Sequence, residues 1–119
     1  MIEIAVPGFG QLRLEHAVFD VNGTLAVDGQ PDPEIGPRLS ELAGHLQIHL
    51  LSALTHGNRA ALEQAFGQAV HTIEPGDEAE QKAEYVRQLG ADGCAAIGNG
   101  RNDRLMLAVA EVGIALIDL

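Results

Sequence analysis

The 119-residue chain has no tryptophan, one tyrosine and three phenylalanines, so its core must be aliphatic. Its single cysteine, Cys94, cannot close an internal disulfide. That excludes a disulfide-stapled secreted scaffold and suits a reducing cytosol. Basic residues are scarce, with seven Lys+Arg against seventeen Asp+Glu and a formal charge of −10. Such a field repels phosphate backbones and anionic lipid surfaces, which argues against general nucleic-acid or membrane-surface binding. A small anion would need a local cationic device. No apolar run is long enough to span a bilayer, since the stretch from Leu105 to Ile117 is interrupted by Glu111. The opening Ile2-Glu3-Ile4-Ala5-Val6 is charged and alternating, unlike a signal peptide. What is present is 46% hydrophobic and 20% charged residues, enough to bury a core. The expectation is a soluble, cytoplasmic, single domain over residues 1–119.

Ile2–Val6 and Gln11–Glu15 alternate around Pro7-Gly8-Phe9-Gly10, which predicts an N-terminal β-hairpin, residues 1–16, with one face covered. Ala17–Val21 is a short apolar run of the kind found in a buried strand. A Gly/Pro-rich stretch, Gly23 to Pro33, leads to a helix with Ile35, Leu39, Leu42 and Leu46 on one face, tolerating Pro37 only in its first turn. Gln47–Leu51 is a second strand. Asn58 caps a helix carrying Leu62, Ala65 and Phe66 that ends at Gly67, and Ala69–Ile73 is a third strand. Asp77 with Glu80 forms a capping pair for a helix ending at Gly90. Ala95–Ile97 is a fourth strand. A last helix bears Leu105, Met106, Val109 and Val112, is capped by Asn102 or Asp103, and closes at Gly113 before a strand at Ile114–Ile117. The order after the hairpin is β-α-β-α-β-α-β-α-β. It predicts an α/β, three-layer, Rossmann-like parallel sheet of five strands with helices on both faces.

In open parallel sheets, ligands sit beyond the carboxyl ends of the strands. The polar residues there are Asp20, Asn22, Gly23 and Thr24 after the first strand, and Ser52, Thr55 and His56 after the second. Asn99, Asn102 and Asp103 follow the fourth, and Lys82 lies early in the helix before it. Asp20 and Asp103 within about 4 Å would repel by roughly 4 kcal/mol at an effective dielectric near 20. A Mg²⁺ ion would remove that penalty, being suited to carboxylate oxygens, waters and substrate phosphate. An Asp carboxylate can attack phosphorus. Ser52 and Lys82 would then hold phosphoryl oxygens, with Gly23, Thr24, Thr55 and His56 as further substrate contacts. The five histidines form no convincing metal pair, and Gly98-x-Gly100 lacks the third glycine of a dinucleotide fingerprint. A receiver domain would need an early acidic pair that the chain lacks.

These segments resemble the four motifs of the haloacid dehalogenase-like hydrolases. Phe19-Asp20-Val21-Asn22-Gly23-Thr24-Leu25 is similar to the first motif, Leu50-Leu51-Ser52 to the second, and Lys82 to the third-motif lysine. Gly98-Asn99-Gly100-Arg101-Asn102-Asp103 is similar to the fourth. Gly-Thr-Leu after Asp20 and the Gly-x-Gly-x-Asn-Asp form resemble P-type ATPase phosphorylation domains and their soluble phosphatase-like relatives. The resemblance implies a phosphohydrolase-like protein with Asp20 as nucleophile and metal ligand. It implies the Asn22 carbonyl and Asp103 as further Mg²⁺ ligands, with Asn99 at a ligand position.

Two positions depart from the family pattern. Asn22 stands where phosphatases of the family carry an acid/base Asp, and Asn cannot exchange that proton. Asn99 replaces the first acid of motif four, removing one negative charge. No cap insertion is visible, so the site is expected to be open, with a large substrate or a neighbouring subunit closing it. The implied substrate is a phosphorylated small molecule or protein, and the implied assembly a homo-oligomer. The alternative is a catalytically degenerate binding or regulatory module of the same fold, associated with a transporter.

Overall fold

The structure is a computed structural model and describes residues 1–27, 30–53 and 59–116. It opens with an antiparallel hairpin, β1 (Ile2–Val6) and β2 (Gly10–Leu14), in which Ile2 pairs with Leu14 and Ile4 with Leu12. Only the base of this hairpin is covered. Leu14 is buried, whereas Ile4 and Phe9 are exposed, so the hairpin projects from the body instead of lying along it.

The main sheet contains β3 (His16–Asp20), β6 (Gln47–Ser52), β7 (Val70–Thr72), β8 (Cys94–Gly98) and β9 (Val112–Ala115). Their spatial order is β7-β6-β3-β8-β9, and every neighbouring pair is parallel. The expected five-stranded sheet is therefore present. Side-chain alternation sends Val18, Leu51, Cys94 and Ala96 to one face, where Val86 of α3 (Glu78–Leu89) and Met106 of α4 (Arg104–Val109) cover them. Leu50 and Val70 point to the other face, against Leu39 of α1 (Ile35–Leu42) and Leu62 and Phe66 of α2 (Arg59–Phe66). Three layers result, with the aliphatic core split between two interfaces. Pro37 sits in the first turn of α1, where its missing N–H is harmless. Gly36 brings α1 onto α2, since a Cβ there would lie 2.6 Å from the Ala65 carbonyl oxygen.

Several local expectations are corrected. The stretch after Asp20 folds into a small hairpin, β4 (Ala26–Val27) with β5 (Gln30–Pro31). Leu46 lies beyond the end of α1 and is buried in the turn that enters β6. Asp77 occupies the N-terminal cap of α3 in a left-handed conformation, φ 50°, and its side chain makes no cap bond. Gln81 instead staples that turn, donating to the Glu74 and Gly76 carbonyls and accepting from the Glu74 N–H. Helix α4 stops at Val109, and Val112 and Gly113 belong to β9, opposite Ala95 and Ala96. Gly113 thus serves close approach, not helix termination. A Cβ on it would fall 2.4 Å from the Leu107 carbonyl oxygen, so only glycine lets β9 lie this near α4. Asn58 and Ile117 lie outside the described residues. Among the described residues, no helix is long and apolar enough to cross a membrane.

Candidate functional site

The central strand β3 has β6 on one side and β8 on the other, so the chain reverses its winding direction at this point in the sheet. Such a switch point leaves a crevice at the carboxyl ends of the strands. Asp20 ends β3, Ser52 ends β6 and Gly98 ends β8, and all three meet that crevice. After Asp20 the chain turns tightly, with the Thr24, Leu25 and Ala26 N–H groups all donating to the Val21 carbonyl.

Lys82 reaches this edge from the second turn of α3. Its ammonium donates to Asp20 Oδ1 over 3.0 Å and to Asp103 Oδ1 over 2.9 Å. All three groups are buried, and the Lys82 residue is only 1% exposed. Two carboxylates and one ammonium in so dry a place are tolerable because each charge has an opposite partner. Asp103 uses its other oxygen, Oδ2, to accept the Asn99 and Gly100 N–H groups at 3.0 and 2.8 Å. It therefore organises the loop after β8 and fixes Lys82 at once. This contact depends on Gly98, where a Cβ would lie 2.6 Å from Asp103 Oδ2. Although Asp103 stands at the N-terminal cap of α4, its side chain makes no cap bond there.

The electrostatics follow from burial. Desolvation pushes the Asp20 carboxyl up from 3.8 to about 7, against the pull of Lys82 and with the push of Asp103. For Lys82, burial pulls the other way, but the hydrogen bonds and charges of both carboxylates prevail and raise it. Two hydroxyls complete the edge. Ser52 Oγ and Thr24 Oγ1 are buried and have no hydrogen-bond partner among the described residues. An unpaired buried hydroxyl costs about 1–3 kcal/mol, which incoming acceptor oxygens would offset.

Asn22 is exposed and its backbone bridges to Ala26. Asn99 turns its amide toward the loop after β3 and donates to the Gly23 carbonyl over 2.6 Å. Asn102 donates to Glu78 at the start of α3 over 3.0 Å, tying the loop after β8 to the helix that carries Lys82. Neither Glu78 nor the Asn99–Gly23 contact is legible in the motifs, because both are pairings between segments far apart in sequence. Thr55 and His56 lie outside the described residues.

The donor set suits a divalent cation only in part. Among the described residues, no three His, Cys, Asp or Glu side chains group around one metal position. Lys82 contacts Oδ1 of Asp20, while both Asp103 oxygens are engaged with Lys82 and the backbone. The Asp20 carboxylate and a backbone carbonyl such as that of Asn22, two residues on, are the donor types that suit a hard ion keeping most of its waters.

No protein family model matches the chain. It is 36% identical over 98 residues to "Probable cation-transporting ATPase G" of Mycobacterium tuberculosis, a match covering 79% of this chain and 12% of that protein. The chain thus spans about an eighth of the length of the curated relatives it matches. Among solved structures, it is similar to the 3-deoxy-D-manno-octulosonate 8-phosphate phosphatase of Moraxella catarrhalis, solved with magnesium, phosphate and a KDO molecule. That likeness has a TM-score of 0.66 at 18% identity and covers 86% of this chain and 66% of that one. The catalytic domain of the CPx-ATPase CopB-B is 28% identical at a TM-score of 0.54, over 72% of this chain and 36% of that one. In sheet order, motif order and sequence, the chain has the haloacid dehalogenase-like fold and resembles within it both phosphatases and the catalytic domain of P-type ATPases.

Proposed function

We propose that the chain is a phosphohydrolase-like protein that transfers a phosphoryl group to Asp20 with Mg²⁺ assistance and releases it slowly. The observation that carries this reading is the buried Asp20–Lys82–Asp103 cluster beside the unpartnered hydroxyls of Ser52 and Thr24. Asp20 supplies the attacking carboxylate oxygen. Lys82, Ser52 and Thr24 receive the non-bridging phosphoryl oxygens, with Gly23 allowing the backbone to come close. Asp103 orients Lys82. Asp20 Oδ2 and the Asn22 carbonyl would hold Mg²⁺, which when bound neutralises charge on the phosphoryl oxygens. The new bond forms between Asp20 and phosphorus as the bond to the ester oxygen breaks. Because Asn22 carries no transferable proton, that oxygen takes its proton from water.

A missing general acid is worth about 10²–10⁴-fold, least for esters with acidic leaving groups. The test compares p-nitrophenyl phosphate with an alkyl phosphate, with and without Mg²⁺, in wild type, Asp20→Asn and Asn22→Asp. The expected pattern is a product burst on the nitrophenyl ester, no activity in Asp20→Asn, and faster turnover in Asn22→Asp, most for the alkyl ester. Silence in all three sinks the catalytic reading. A regulatory module that binds phosphate on this edge is then favoured, a second reading supported by Asn22 and by the engaged Asn99 amide. In either reading we place the protein in the cytoplasm. The partner is a phosphorylated small molecule or protein, or a transporter, and a second copy of the chain shields the capless edge. Nucleic acid is disfavoured by the charge of −10.

A further inference from the structure

We infer that Asn99 is a positioning residue that latches the loop after Asp20 to the loop after β8, and that this chain requires an amide donor there. Its consequence for phosphate rests on the proposed function; the latch itself rests on geometry. Asn99 Nδ2 donates to the Gly23 carbonyl over 2.6 Å. Gly23 has φ +77°, and a Cβ on it would lie 2.5 Å from that nitrogen and 3.0 Å from Asn99 Oδ1. The amide therefore occupies the space that the glycine leaves. The bond and the close approach together show that the Asn99 amide is seated directly on Gly23.

Both ends of the latch are anchored. Under Asn99, its own N–H and that of Gly100 donate to Asp103 Oδ2, while Asp103 Oδ1 holds Lys82. Beyond Gly23, the Gly23 N–H donates to the Ala26 carbonyl over 2.7 Å, and Asn22 bridges to Ala26. A continuous set of bonds thus runs from Lys82 through Asp103 and Asn99 to the peptide after Asn22. A carboxylate at position 99 inverts this contact. Both of its oxygens only accept, so one would face the Gly23 carbonyl oxygen with no hydrogen between them. Asn99 is therefore more than a metal ligand stripped of its charge. The substitution Asn99→Asp loosens the loop in the absence of metal.

Hydrogen exchange on ¹⁵N-labelled protein, read by NMR in a chelating buffer, tests the latch in wild type, Asn99→Asp and Asn99→Ala. The Gly23, Leu25 and Ala26 amides should exchange about three- to tenfold faster in both variants, while β3 and β8 amides keep their rates. A titration with inorganic phosphate and Mg²⁺ should shift the wild-type Asn99 side-chain amide signal and bind more weakly in both variants, which a bond remote from the phosphate would not do. Unchanged loop protection in the two variants overturns the latch, as does an Asn99→Asp protein with a protected loop and tighter Mg²⁺ binding. If Asn99→Asp does not fold, Asn99→Ala decides, since it removes the donor without adding charge. Loop exchange is read without phosphate, so it judges the latch even if Asp20 transfers nothing.

Discussion

Replacing Asp20 by Asn sets burial against ionisation at one atom. Asp20 is 4% exposed, and burial, partly opposed by Lys82, lifts its carboxyl from 3.8 to about 7. In the unfolded chain it titrates near the lower value. Below about pH 4 both states hold the proton, and the raised folded-state value contributes its full stability. Between about pH 4 and 7 the unfolded state is ionised while the folded state keeps its proton, so that contribution falls as pH rises. Above about pH 7 the folded state ionises too, and the loss levels off. At about 1.4 kcal/mol per unit, the whole span is about 4 kcal/mol. Asp20→Asn keeps the shape and cannot ionise, and Lys82 retains Asp103 as a partner. Relative to wild type, the variant should gain about 2–4 kcal/mol between pH 4 and pH 8. Urea unfolding followed by circular dichroism, in chelating buffer at several pH values, measures that difference, and taking the difference cancels the carboxylates remote from the cluster. A difference that stays flat with pH, or a variant less stable than wild type at pH 8, would refute the reasoning. Lys82 would then dominate, and Asp20 would be fully ionised at neutral pH.

Lys82→Met leaves Asp20 and Asp103 buried without their shared cation, and should destabilise the fold by about 3–5 kcal/mol at pH 8, by the same urea assay. An unchanged midpoint would show that the cluster is solvated. Gly98→Ala drives a Cβ against Asp103 Oδ2 and should cost about 1–3 kcal/mol while lowering phosphate binding. Gly113→Ala, whose Cβ would strike the Leu107 carbonyl, should lose similar stability and leave phosphate binding intact. Light scattering should report an oligomer at high concentration; a monomer would remove the idea that a second copy shields the site.

Strand and helix order and the parallel sheet were legible in the sequence, because short apolar runs and Gly/Asn/Asp turns carry local information. Asp20, Ser52, Lys82 and Asp103 stand where that order puts strand ends and a helix start. What escaped the sequence was decided at longer range. Asp77 resembles a cap residue, yet Gln81 staples the turn, since the side chain with the better reach takes the free backbone groups. Gly113 resembles a helix stop but serves as a tight contact, which depends on how closely β9 approaches α4. The resemblance implies a metal ligand at Asp103, and the bonds of its oxygens to Lys82 and two backbone N–H groups could not be read from the motif. Asn99 resembles a lost acid, and only the meeting of two loops, 76 residues apart, makes its amide a donor to Gly23. Local composition determines which residues reach the sheet edge. Which atoms pair there is settled by tertiary packing, because a hydrogen bond is specified by distance and direction and a motif specifies neither.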